Sequence, residues 1–105
     1  MLNRVQHDEK KIMKESYIYI VSNKTVLYIG VTNDLIRRVR EHKESIGSKF
    51  TKKYNISELL YFETFTDISL AIKREKQLKN WHNEWKWNLI KETNPNLIDL
   101  YDGLV

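Results

Sequence analysis

Two short runs of β-branched and aromatic residues, Tyr17 to Val21 and Val26 to Gly30, flank the polar tetrad Ser22-Asn23-Lys24-Thr25. This is the pattern of a β-hairpin. Alternation puts Tyr17, Tyr19 and Val21 on one face of the first strand, and a loop centred on Asn23 and Lys24 sets Tyr19 directly opposite Tyr28. Asn tolerates the positive φ that such a loop needs, whereas Lys24 is a poor substitute for glycine. The plain outcome is a cross-strand tyrosine pair filling a small core.

The period then lengthens. Thr32, Asn33 and Asp34 are N-cap residue types, and LIRRVREHKE after them reads as a helix with Leu35 and Val39 facing the core. Arg38 and His42, also four apart, lie together at the edge of that apolar stripe. The helix is expected to end near Ser45 to Gly47, with Gly47 as the left-handed stop. SKFTKKYN follows, with Lys49, Lys52 and Lys53 around Phe50 and Tyr54, an interleave suited to a nucleic-acid backbone; for Phe50, core packing is the plainer expectation. ELLYFETF, Glu58 to Phe65, makes a third strand.

Thr66 or Asp67 caps the longest helix, running from about Ile68 into NWHNEW, with Ile68, Ala71, Ile72, Leu78 and Trp81 as its apolar stripe. Glu75 falls inside that stripe. A carboxylate turned to apolar surroundings is costly unless paired or ligating, so the pattern calls for a partner, either Arg38 or a hard cation. The helix continues or restarts through Trp85, Asn88 and Leu89, with Asn88 on the inward face, and ends before Pro95. Residues 1–15 read as a charged extension or frayed helix, 16–101 as the domain and 102–105 as a tail; removing the first dozen residues is expected to leave folding intact. The elements together predict an α+β fold, a small three-stranded antiparallel sheet flanked by helices.

Composition narrows the chemistry. The 105 residues suit one domain with a modest core, 41% apolar. With no cysteine, disulfides, thiolate metal sites and a cysteine nucleophile are excluded. No apolar run reaches membrane-spanning length and MLNRVQHDEKK is no signal peptide, so a cytoplasmic protein is expected. The net charge is +4, concentrated between Arg37 and Lys53 and between Lys73 and Lys91. Two such segments can form one positive surface for phosphates, or solvated helix faces. The sequence contains no glycine-rich phosphate loop, HExxH pair or glycosidase-like pair of inward carboxylates.

Cleaving a phosphodiester requires charge stabilisation at the phosphate, a base for water and a cation for the equatorial oxygens. Glu75 is the one well-placed hard ligand, pointing to a single Mg²⁺ (or Mn²⁺) with water completing its shell. Arg38 is a fork-shaped phosphate clamp. Each residue also has a simpler explanation: Glu75 and Arg38 as a buried ion pair, His42 as a satisfied histidine, Asn88 as a helix-face hydrogen-bonder.

Tyr17-Ile18-Tyr19 and Tyr28-Ile29-Gly30, followed in order by Thr32, Arg38 and His42, resemble the GIY-YIG nuclease family, nearest to its short stand-alone bacterial members. The likeness runs from about Ser16 to Tyr101. Tyr17 stands where the motif has glycine, and Val31 where some members carry a lysine or other polar residue. The resemblance implies Tyr19 as base, Tyr28 beside it, Arg38 and His42 in support, Glu75 on the metal and Asn88 completing the site, with Asn80 and Asn83 close by in sequence. It implies metal-dependent endonucleolytic cleavage of DNA, in repair or recombination, with Arg37, Lys49, Lys52, Lys53 and Lys79 as backbone contacts. The alternative is a nucleic-acid-binding module whose site is attenuated or needs a targeting protein partner. The sequence leaves the oligomeric state open. A protein-interaction domain displaying Trp81, Trp85 and Trp87 is a third reading, although the interior should claim most of these rings.

Overall fold

In the computed structural model, which describes residues 15–105, a three-stranded antiparallel sheet is ordered β2-β1-β3, with β1 spanning Ser16–Ser22, β2 Leu27–Thr32 and β3 Glu58–Phe65. The expected N-terminal extension, apart from Glu15, lies outside the described residues. Among the described residues, α1 (Leu35–Lys43) and α2 (Lys49–Lys53) lie between β2 and β3, α3 (Ile68–Lys79) and α4 (Asn83–Thr93) follow β3, and a 3-10 turn, Leu100–Gly103, lies near the C-terminal end. Among the described residues, no helix is long and apolar enough to cross a membrane.

β1 is central and carries apolar side chains on both faces. Ile18 and Ile20 join Ile29, Leu60, Ala71, Leu78 and Ile90 beneath α3 and α4, while Tyr19 and Val21 join Leu35, Val39, Ile56 and Leu59 beneath α1 and the C-terminal turn. The pairing of β1 with β3 jumps from Ile20↔Tyr61 to Val21↔Leu59. Leu60 is the extra residue of this bulge, and it adds a leucine to the first cluster.

The hairpin forms as the pattern predicts, but its loop is centred on Lys24 and Thr25. Tyr19 therefore pairs with Gly30, and Tyr28 with Val21. The shift is even, so both tyrosines keep the same face and meet diagonally, ring centroids 6.4 Å apart. Asn23 imposes this loop. Its Oδ1 accepts from the N–H groups of Thr25 and Val26, its Nδ2 donates to the Tyr54 carbonyl, and Lys24 adopts φ 76°.

Other expectations are corrected. α1 ends at its C-cap Glu44, at the near edge of the expected stop, and the left-handed residue is Ser45 at φ 61°, not Gly47. The long helix breaks after Lys79 and restarts at Asn83, and of its expected stripe Ala71 and Leu78 are buried while Ile68 and Ile72 are exposed. Asn88 faces solvent. The inward asparagine is Asn94, whose Nδ2 donates to the Leu60 and Ile98 carbonyls and whose Oδ1 accepts from the Ile98 N–H, tying the end of α4 to β3. Trp81 and Trp87 pack on the core and Trp85 is exposed.

Gly30 is required for close approach, since no glycine here has positive φ. A Cβ at Gly30 would lie 2.5 Å from the Tyr19 hydroxyl and 2.6 Å from Cζ. Gly30→Ala should therefore lower stability by about 1–3 kcal/mol through overpacking, read as a lower urea midpoint. An unchanged midpoint would mean that the ring has room to move.

Candidate active site

Three elements converge on the Tyr19 hydroxyl. β1 presents the ring from the centre of the sheet, α1 crosses it and α2 closes the far side. Asp34 caps α1 by accepting from the Arg37 N–H, which starts the helix where Leu35 and Val39 face the sheet and Arg38 and His42 flank Tyr19. Arg38 donates through Nε to Tyr19 Oη at 3.4 Å and through Nη1 to Glu41 Oε1 at 2.9 Å. Tyr19 Oη lies 3.0 Å from His42 Nε2, and His42 Nδ1 lies 3.1 Å from Thr51 Oγ1.

One set of proton positions satisfies the whole chain of contacts. With Arg38 donating to the phenol oxygen, the phenol O–H donates to His42 Nε2; the imidazole proton then sits on Nδ1 and donates to Thr51, whose own O–H donates to the Ser48 carbonyl at 3.0 Å. Thr51 is buried because Ser48 caps α2 and turns it inward. Gly47 completes the seat, since a Cβ there would lie 2.3 Å from His42 Nδ1. Thr51 and Gly47 escape sequence reasoning: one is a threonine among lysines, the other reads as a helix stop. The signal available was the Ser48-to-Thr51 spacing of a capped turn.

Burial dominates the electrostatics. It pushes the Tyr19 phenol up to about 12, outweighing the hydrogen bond and charge of Arg38, which act to lower it. In the resting protein the neighbouring guanidinium therefore does not make Tyr19 more acidic than ordinary tyrosine. Burial also pushes His42 down to about 4, and Arg38 pushes it further the same way against a smaller opposing effect of Glu41. At neutral pH the pair is a phenol and a neutral imidazole.

Tyr28 stands 5.7 Å from the His42 ring and 6.2 Å from that of Phe50, centroid to centroid. Glu75 comes from α3. Its neighbour Arg74 fixes that helix to β3 through a two-pronged contact with Glu63, 2.9 Å on each side, and lies over the Trp81 ring. Burial alone would raise Glu63, but Arg74 and Tyr61 hold its carboxyl below the ordinary range. The Glu75 side chain is 19% exposed and pairs with Lys79 one turn on, at 3.1 Å. This corrects the expected Glu75–Arg38 pair: Arg38 is engaged by Glu41 and Tyr19. Glu75 is near enough for its charge to help keep the Tyr19 phenol protonated. Among the described residues, no three His, Cys, Asp or Glu side chains gather into a metal-ligand set. A lone, partly buried carboxylate suits a cation that retains most of its water.

Tyr19, Tyr28, Arg38 and His42 are thus brought together, with Glu75 at their margin and Asn88 exposed on α4. Of the expected backbone contacts, Arg37 is exposed and lies near Asp34 and Glu41, while Lys49, Lys52, Lys53 and Lys79 are exposed. Lys86, not singled out in the sequence, joins Lys79 in a groove beside Tyr28 and Phe50.

The GIY-YIG catalytic domain model matches residues 15–95. A UPF0213 protein of Haloquadratum walsbyi is 40% identical over 77 residues, covering 72% of this chain and 86% of that protein. A UPF0213 protein of Staphylococcus epidermidis is 38% identical over 81 residues, covering 76% of this chain and 99% of its own. The solution structure of the UPF0213 protein from Bacillus halodurans superposes with a TM-score of 0.51 at 24% identity, over 78% of this chain and 88% of that one, a likeness of fold. The hairpin with its two tyrosines, the sheet order and the match over most of the chain lead to one conclusion: this protein belongs to the GIY-YIG family, whose catalytic domain is that of nucleases.

Proposed function

We propose that the protein is an endonuclease that hydrolyses DNA phosphodiester bonds with one divalent cation and a water activated through Tyr19. The observation that carries this reading is the hydrogen-bonded chain Arg38–Tyr19–His42–Thr51, which connects a phosphate-binding cation to a proton acceptor across a single phenol. A water in contact with Tyr19 Oη gives its proton to that oxygen as the phenol proton moves to His42 Nε2. The phenol stays neutral overall, and the proton resides on the imidazole. This route suits a phenol near 12, which would be a weak base if it had to ionise in advance. The negative charge of the phosphate, drawn in by Arg38, offsets the guanidinium and favours the imidazolium.

Glu75 would hold a Mg²⁺ or Mn²⁺ ion, which supplies charge neutralisation at the phosphate and the leaving oxygen. Arg38, about one-third exposed, keeps donors for the phosphate beyond those used by Tyr19 and Glu41. Tyr28 orients the water or the phosphate beside the imidazole, and Asn88 remains a candidate contact from α4. The exposed lysines track the backbone, and a cytoplasmic setting suits such a substrate.

The Lys79 ammonium on Glu75 favours a second reading, in which the carboxylate is occupied in the resting protein and cutting needs a partner or a particular DNA structure to release it. Cleavage of supercoiled, single-stranded, flapped and branched DNA by the isolated protein, with and without Mg²⁺, decides between the two. Binding without cutting in every condition would favour the second.

Glu75→Ala should reduce metal-dependent cleavage at least about a hundredfold while DNA binding stays within a few-fold of the parent. A variant that cuts as fast as the parent would remove Glu75 from the mechanism. Tyr19→Phe, which keeps the ring and removes the phenol oxygen, should be inactive on the same scale. Preserved cutting would move the base role to Tyr28.

Acid stability offers a test independent of activity. His42 titrates near 4 in the folded protein and at an ordinary 6.5 in the unfolded chain. Between these values the unfolded chain binds more protons, so this contribution to stability is complete above about pH 6.5, declines as pH falls and is lost below about 4. Glu63 and Asp99 are held below their ordinary carboxylate range, so their effects lie lower in pH. The wild type should lose on the order of 2 kcal/mol more than His42→Gln between pH 7 and pH 4.5, seen in urea midpoints. Parallel profiles would show that His42 is not held neutral.

A further inference from the structure

We propose that the open edge of β2 carries a binding track for a single strand of nucleic acid, in which an unpaired base stacks on the Phe50–Tyr54 ring pair next to the phosphate at Tyr28. This rests on the nuclease reading and narrows its substrate to DNA with an unpaired segment beside the scissile bond.

The first observation is a train of rings leading out of the site. Tyr19 is buried; Tyr28 lies 6.4 Å from it, Phe50 6.2 Å from Tyr28, and Tyr54 4.9 Å from Phe50, centroid to centroid. The last two are 44% and 40% exposed. Large rings left in water forgo the stabilisation that burial would bring, and here two of them sit in contact at the mouth of the site. Their exposure is a consequence of local structure. Thr51 must point inward to reach His42, so Phe50 and Tyr54, the residue that caps the C-terminal end of the same short helix four positions on, face outward. The platform therefore has a fixed position relative to Tyr19.

The second observation is the charge around those rings. Lys53 Nζ lies 5.3 Å from the centre of the Tyr54 ring, and Lys49 and Lys52 are exposed on the same helix. On the other side of β2, Lys79 from α3 and Lys86 from α4 face Tyr28 and Phe50 across a groove of about 290 Å³. One wall is aromatic and the other cationic. A nucleotide strand offers matching surfaces, flat bases on one side and phosphates on the other. The groove follows an edge strand, so a strand can enter at one end and leave at the other.

Stacking discriminates between nucleic-acid forms. In an intact duplex each base has both faces covered by neighbours, and only the phosphates could reach these lysines. An unpaired base can leave its neighbour and cover Phe50, a sequence-tolerant contact. The rings thus predict preference for single-stranded regions, and the lysines alone do not.

The test is binding in EDTA, where cutting is suppressed, using a fluorescent twelve-nucleotide oligothymidylate and a twelve-base-pair duplex at equal ionic strength. The wild type should bind the single strand about tenfold or more tightly than the duplex. Phe50→Ala should weaken single-strand binding about tenfold and leave duplex binding within twofold; Phe50→Trp should restore it. Tyr54→Ala should act in the same direction, which guards against an effect of one substitution on folding. Quenching of 2-aminopurine in the bound oligonucleotide, lost in Phe50→Ala, would report the stack itself. Equal affinity for the two forms, or equal loss on both in Phe50→Ala, would overturn the proposal. Metal-dependent cutting by the same preparations is scored separately. Cutting with Phe50-insensitive binding rejects the platform and spares the nuclease; Phe50-dependent binding without cutting supports the platform and favours the partner-dependent reading over an autonomous nuclease.

Discussion

The contact between Tyr19 and Gly30 sets the terms for the rest of the molecule. A ring on the central strand of a three-stranded sheet would ordinarily stand up from the sheet as core. Here the partner residue on β2 has no side chain, and the ring lies close enough that a single Cβ would collide with its hydroxyl. That hydroxyl is then delivered to the edge of the buried cluster, where α1 brings Arg38 and His42. Without the glycine the phenol and its two partners could not share the same space. The site is therefore a product of packing before it is a product of electrostatics.

The same packing creates a chemical tension. Burying Tyr19 and His42 holds both in their neutral forms, the opposite of what the proposed base and its activator would need one at a time. Joined by a hydrogen bond, they would not have to ionise separately in the proposed reaction, since one proton would enter the phenol as another leaves it. Thr51 contributes by keeping the imidazole proton on Nδ1, so that Nε2 is free to accept. Arg74, although it touches none of these groups, fixes α3 against β3 through Glu63 and thereby holds Glu75 at the site's margin.

How much of this was legible depended on whether the signal was local. The hairpin, the N-cap at Asp34 and the Arg38–His42 spacing are short-range patterns, and they place β1, β2 and α1 together with four side chains of the candidate site. The exact pairing was not legible because it turns on the side-chain bonds of Asn23 within the loop, which moved the register by an even step and spared the faces. Periodicity turns Asn88 and Ile72 inward, but α3 and α4 are separate helices that cover one face of a narrow sheet, and only a strip of each is covered. Periodicity sets Glu75 in an apolar stripe of which Ala71 and Leu78 are buried and Ile68 and Ile72 exposed; its carboxylate is partly covered, and its ion-pair partner is Lys79 on its own helix. Phe50 reads as core by composition; only the inward turn of Thr51, a tertiary requirement, explains why it faces water.

The brevity of α2 has a consequence for how this region can change. Five residues carry, on opposite sides, the threonine that seats His42 and Phe50, which lines the groove. Inserting or deleting one residue between Ser48 and Tyr54 would rotate part of the helix by about 100°, and no such rotation keeps both sides in place. Sequence drift in this segment is therefore confined to substitution at constant length, whereas loops elsewhere on the surface can grow or shrink.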